Sequence, residues 1–230
     1  MKRIISSLRW EVILQFRNGF YYATAFILAI WVVLYTQLHL PNLSDYVPGL
    51  LVSNLEITTF YFIAGLVMLE KGEGSLESRL TSPLRSGEYL IVKVLALSIL
   101  VLVENLILAV LFSGLHFNML PVVLALLLAG AIFSLYGFLT VIRYDSINEY
   151  MLPSVLFTIP LLLPLLDFFG IFKSPLFYLH PIQAALVLLK GGYQALSPLE
   201  WAYGMGYSLL WVLLLYHLGQ HAFKKFVTSH

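Results

Sequence analysis

Predominantly apolar stretches of about twenty residues, the length a helix needs to cross the hydrocarbon core of a bilayer, recur along this chain. They fall near residues 20–38, 48–69, 89–112, 119–142, 150–167 and 199–219. A water-facing surface for 230 residues cannot be built when only 11% of them are charged, and a mean hydropathy of +0.89 agrees. In hydrocarbon the backbone must satisfy its own polar groups, so such runs fold as helices. The expected fold class is therefore all-α integral membrane, one domain over residues 1–230 with six transmembrane helices. Cysteine is absent, which removes disulfides and thiolate metal sites. A net charge of +1 with scattered basic residues gives no nucleic-acid footprint.

Lysine and arginine set the orientation. Lys2, Arg3, Arg9, Arg17, Lys71, Arg79, Arg85, Lys93, Arg143, Lys224 and Lys225 fall on one side, eleven of the thirteen basic residues. The loops near 39–47 and 113–118 hold none, and the 168–198 segment holds only Lys173 and Lys190. Both termini are thus expected in the cytosol, with the chain in the inner (cytoplasmic) membrane. Residues 1–19 are no signal peptide, because Arg9, Glu11 and Arg17 break any apolar core. Ile5, Leu8, Val12 and Phe16 recur at helical spacing and predict an amphipathic helix at the inner interface; a plain basic flank is the alternative. Between spans five and six, Pro160, Pro164, Pro175, Pro181 and Pro198 punctuate a segment whose apolar run, 182–190, is too short to cross. A re-entrant or interfacial hairpin over 168–198 fits, against a seventh span that would spoil the charge asymmetry.

The polar stretch between spans two and three is dense in signals. It reads Glu70-Lys71-Gly72-Glu73-Gly74-Ser75-Leu76-Glu77-Ser78-Arg79-Leu80-Thr81-Ser82-Pro83-Leu84-Arg85-Ser86-Gly87-Glu88-Tyr89. Gly74 can end one helix through left-handed geometry, and Ser75 can cap the next. Leu76 and Leu80, four apart, give that short helix an apolar face. Ser82-Pro83 supplies a break and a new start.

The series Glu-x-Gly-x-Gly-Ser-Leu-Glu followed by Leu-Thr-Ser-Pro-Leu resembles the first cytosolic loop of type-2 ABC transporter permeases. Gly72 and Ser75 depart mildly from that pattern, where a charged residue and Thr are common. The resemblance implies that residues 1–19 form an "elbow" helix, that 70–88 form a coupling loop, and that an outer hairpin precedes the last span. It implies a partner ABC ATPase subunit and a second permease copy, as a homodimer or a heterodimer. Glu73, Ser75, Leu76, Glu77, Arg79, Leu80 and Arg85 would then contact the ATPase. No Gly-x-x-x-x-Gly-Lys-Ser/Thr loop is present, so this chain is expected to be no enzyme and to bind no cofactor, with ATP and Mg held by the partner. Compact size resembles the drug-export permeases, including the fluoroquinolone-export type, and implies a small drug-like or lipophilic substrate.

Two carboxylates fall inside spans, where each costs about 2.5–3.5 kcal/mol or more. Glu56 and Glu104 both lie about eight residues, roughly 12 Å, below the outer surface. With Asn54, Asn105 and Phe60 they could line a substrate path that attracts cationic molecules, or form a structural polar clamp between helices. An ATP-independent transporter using Glu56 and Glu104 is the rival function, although no internal repeat supports it. His217 and His221 are four apart but lack the glutamate of a zinc-protease motif, so no metal is expected. Gly130, Gly137, Gly204 and Gly206 with Ser208 give spans four and six small faces suited to close helix packing, here across a dimer.

Overall fold

A computed structural model describes residues 2–37, 45–74 and 86–229. Described residues are helical or in short connections, and none is in a strand. The helices are α1 (Lys2–Arg17), α2 (Phe20–Gln37), α3 (Val47–Leu55), α4 (Tyr61–Gly72), α5 (Ser86–Ser113), α6 (Met119–Val141), α7 (Ile147–Leu162), α8 (Pro164–Phe168), α9 (Pro181–Lys190) and α10 (Pro198–Ser229). A π turn, Glu56–Phe60, joins α3 to α4 into one long rod. Among the described residues, five helical stretches are long and apolar enough to cross a membrane: Phe20–Gln37, Val47–Gly72, Gly87–Ser113, Met119–Val141 and Ile147–Phe168. Helix α10 covers the sixth expected span, though its tyrosines, glycines and His217 make it less apolar than those five. The chain is a multi-pass membrane protein.

α6 is the hub. It packs against α3, α4 and the π turn, and against α5, α9 and α10. A helix apolar all round belongs in an interior, and α6 is such a helix: Ala125, Ala129, Ile132, Phe133 and Phe138 are all buried. Gly137 lets the π turn come close, because a Cβ there would stand 2.6 Å from Ile63 Cγ2 and 2.9 Å from the Phe60 carbonyl oxygen. Gly204 does the same for α9, where a Cβ would stand 2.5 Å from Leu188 Cγ. These two small residues therefore serve packing inside the chain, whereas a Cβ on Gly206 would meet nothing within 4 Å.

The short apolar segment after span five is α9, and every residue from Pro181 to Leu189 is buried. It wedges between α10, α6 and α3. His180 caps it, accepting from the Ile182 amide at 3.2 Å, and Gln183 Nε2 donates to Asp167 at 2.9 Å. The loop before α6 meets its far end, where the Asn118 amide donates to the Gly192 carbonyl at 2.7 Å.

α1 turns two polar residues inward, while Arg3, Arg9 and Arg17 stay exposed. Glu11 and Gln15, one turn apart, are buried against the protein, while Ile5, Trp10, Ile13 and Phe16 of the same helix are exposed. The apolar side is thus left for lipid. Gly19, at φ +82°, makes the corner into α2 that a Cβ would strain.

Candidate functional site

The loop over 75–85 lies between α4 and α5. Ser75, Leu76, Glu77, Arg79, Leu80 and Arg85, the residues expected to contact an ATPase, lie outside the described residues. Glu73 is described, at the C-cap of α4, where its amide donates to the Leu69 carbonyl at 3.0 Å. Gly74 follows with φ +64°, the left-handed turn expected of it.

What brackets that loop is a buried ionic cluster. Glu70 lies on the last turn of α4, Tyr89 on the first turn of α5, and Lys93 one turn further in. Lys93 Nζ donates to Glu70 Oε1 at 2.8 Å and to Glu11 Oε1 of α1 at 2.6 Å. The Tyr89 hydroxyl donates to Glu70 Oε2 at 2.6 Å, and its ring stacks on Phe223 of α10 with centroids 4.8 Å apart. Lys93 is fully buried and Glu11 nearly so. Spacing alone explains why the helices can present these groups: residues 89 and 93 share one face of α5, as 11 and 15 share one face of α1. Three helices thus meet at one ammonium and two carboxylates, and a fourth, α10, packs on the tyrosine beside them. Charge-assisted bonds this short are the strong class of hydrogen bond.

Lys71, the neighbour of Glu70, points elsewhere. Its Nζ donates to the Ile142 and Tyr144 carbonyls at 2.9 and 2.7 Å and lies 4.0 Å from Asp145. It therefore satisfies carbonyls left open at the end of α6, a common use of lysine. The two sides of the α4 terminus are tied to different partners, α1 and α5 on one side, the α6–α7 turn on the other.

The sequence made little of this cluster. Glu11 stands out only as a break in an apolar run, and Lys93 only as a basic residue beyond the loop. Its one visible signal is a lysine flanked on both sides by apolar residues, 90–92 and 94–97, where an unpaired charge would be costly.

Within the spans, the structure brings Asn54, Glu104 and Asn105 together. The Asn54 amide donates to Asn105 Oδ1 at 3.3 Å, and Asn105 donates to the Val101 carbonyl at 2.9 Å. The Glu104 carboxyl lies beside Asn54 and Thr58. Thr58, however, gives its hydrogen to the Asn54 carbonyl at 2.8 Å, and the Asn54 amide is engaged with Asn105. Among the described residues, neither Glu104 oxygen accepts a well-formed hydrogen bond, and neither does Asn54 Oδ1. The two Glu104 oxygens and Asn54 Oδ1 are thus buried polar atoms beside Asn54 and Thr58 with no well-formed bond.

Glu56 is not part of that group. It opens the π turn, and its carboxyl lies against the Thr158 hydroxyl of α7. Positions two apart on a helix point to opposite sides, so Glu56 faces away from the Asn54–Thr58 edge that meets Glu104. The Thr58 and Thr59 hydroxyls both bond back to carbonyls four residues earlier, which suits a widened turn. Phe60 is fully buried, edge-on to Tyr61 with centroids 5.2 Å apart and stacked at 6.3 Å on Tyr150. It is a core residue of this chain.

At the other candidate, His221 Nδ1 lies 2.8 Å from the His217 carbonyl of its own helix. Among the described residues, no group of three or more His, Asp or Glu side chains is placed to hold a metal ion.

Comparison with known proteins agrees with a membrane transport component. Fluoroquinolones export permease proteins of two Mycobacterium tuberculosis strains, CDC 1551 / Oshkosh and ATCC 25618 / H37Rv, are each 29% identical over 215 residues, covering 93% of this chain and 90% of theirs. The sequence profile of a permease family matches almost the whole length, residues 2–230. This chain belongs to the fluoroquinolones export permease protein family.

Proposed function

We propose that this chain is the membrane subunit of an ATP-driven ABC exporter that moves fluoroquinolone-like drugs out of the cytosol. The match of residues 2–230 to an export-permease family carries the reading. The chain supplies six spans in the inner membrane, with both termini cytosolic and α9 re-entrant on the outer side. A second permease copy completes the pathway, and separate ATPase subunits bind ATP and Mg. The coupling loop over 70–88 docks on the ATPase through Glu73, Ser75, Leu76, Glu77, Arg79, Leu80 and Arg85, with α1 as the elbow helix beside it. The Lys93 cluster supports this, because it clasps both stems of the loop to that elbow.

Asn54, Glu104 and Asn105 form a polar patch along the substrate path. The rival, an ATP-independent transporter using Glu56 and Glu104 jointly, is disfavoured because the two carboxylates face different helices.

Mild purification of the tagged protein from its native host tests the reading. A stoichiometric ATPase should co-purify and be lost from a Leu76→Ala/Glu77→Arg variant. Glu77→Arg alone should uncouple transport from ATP hydrolysis while the protein stays folded. An ATPase-free preparation that still exports drug in lipid nanodisc-derived vesicles would sink the ATP-driven part.

A further inference from the structure

Between α6, α7 and α10 lies an amphipathic cleft of about 500 Å³, apart from the ionic cluster and from the Glu104 patch. It exists because α7 packs loosely: Pro153 and Pro160 interrupt its hydrogen-bond ladder, and most of its apolar side chains are exposed. The Thr140 hydroxyl, 3.0 Å from the Tyr150 hydroxyl, pins the first turn of α7 to α6 and keeps the cleft narrow at that end. Leu139, Leu215 and Leu218 make the walls apolar, and two aromatic rings join them, Tyr136 from α6 and Phe157 from α7.

The charge in the lining is of one sign. Arg143 comes just past the Ile142 C-cap of α6, and His221 and Lys225 lie one turn apart on α10. Arg143 makes no hydrogen bond or ion pair among the described residues, and the acid nearest to it in sequence, Asp145, is turned to Lys71 at 4.0 Å. An unengaged guanidinium offers a planar fork that matches a carboxylate. The volume falls in the range of drug-sized sites, about 300–1,000 Å³.

We propose that this cleft is the entry site for a planar aromatic carboxylate, with its rings against Tyr136 and Phe157 and its carboxylate on Arg143. The inference rests on the export reading above, since a fluoroquinolone carries both a flat fused ring and a carboxylate. The cleft lies at the end of the bundle that holds the basic residues, where an exporter meets cytosolic drug.

The test is equilibrium dialysis of the full chain in phosphatidylcholine nanodiscs against norfloxacin, nalidixic acid (a related ring carboxylate without the basic amine) and norfloxacin ethyl ester. Arg143→Gln should weaken both acids about tenfold or more, the loss of one charge-assisted pair. Arg143→Lys should recover part of that, and the ester should bind weakly and ignore the substitution. Unchanged affinity for the acids in Arg143→Gln overturns the site, as does Arg143-dependent retention of phosphatidylglycerol alongside Arg143-independent acid binding. Nalidixic acid bound through Arg143 without norfloxacin binding keeps the cleft and sinks the fluoroquinolone reading. Norfloxacin bound without Arg143 dependence does the reverse, and binding of neither sinks both.

Discussion

Replacing Lys93 with methionine removes the ammonium from the Glu11–Glu70–Tyr89 cluster while keeping most of the side-chain volume. The side chain is fully buried and makes bonds of 2.6 and 2.8 Å to the two carboxylates. Its loss leaves Glu11 and Glu70 side by side without that shared cation. Breaking a buried pair this way costs about 3–5 kcal/mol, because the stranded charge keeps its desolvation penalty. For a chain of this size each kcal/mol lowers Tm by about 2–4 °C, so a fall of about 6–20 °C is expected. Thermal unfolding of the detergent-solubilised protein measures it. A triple variant, Lys93→Met with Glu11→Gln and Glu70→Gln, should regain most of the loss, since no buried charge is then stranded. Glu11→Gln alone should cost less, as Lys93 keeps Glu70, but it should loosen α1 and speed tryptic cleavage after the exposed Arg17. A drop below about 2 °C for Lys93→Met, or a triple variant no better than the single, would refute the reasoning built on stranded charge.

Two further outcomes follow from packing and polarity. Gly137→Ala should destabilise by about 1–3 kcal/mol, because backbone and a branched side chain stand where the methyl must go. Gly206→Ala meets open space and should be neutral or stabilising by up to about 1 kcal/mol through helix propensity; equal Tm losses in the two variants would contradict the packing described. Glu104→Gln should leave Tm unchanged or higher, since the carboxylate it removes accepts no well-formed bond. The same variant should reduce export of cationic drugs if the patch lines the path, and unchanged export would assign it to structure alone.

The rods were legible because a bilayer demands apolar length, and length can be counted along a sequence: the expected span at 119–142 is α6 to within a residue. The burial of Glu104 beside Asn54 was legible too, since a carboxylate amid Leu and Val has few places to go. The separation of Glu56 from Glu104 was not. Equal depth in the membrane says nothing about azimuth, and azimuth here depends on a π turn that nothing in Glu56–Phe60 announces. Nor was the Lys93 cluster legible, because it joins positions 11, 70 and 93, and pairing across three helices is a tertiary choice. The cleft with Arg143 escaped notice for a related reason: its walls are drawn from α6, α7 and α10, and a single arginine after a span reads first as a topology marker.

The burial of Glu11 on α1 has a mechanical consequence. Ile5, Trp10, Ile13 and Phe16 are exposed while Glu11 is held inside the protein, so the helix has a side free for lipid and one fixed anchor. A shift of α1 with the bilayer would pull on Glu11 and, through one shared ammonium, on Glu70 of α4 and on α5. Tension in the membrane would then be felt at the two helix ends that flank residues 75–85.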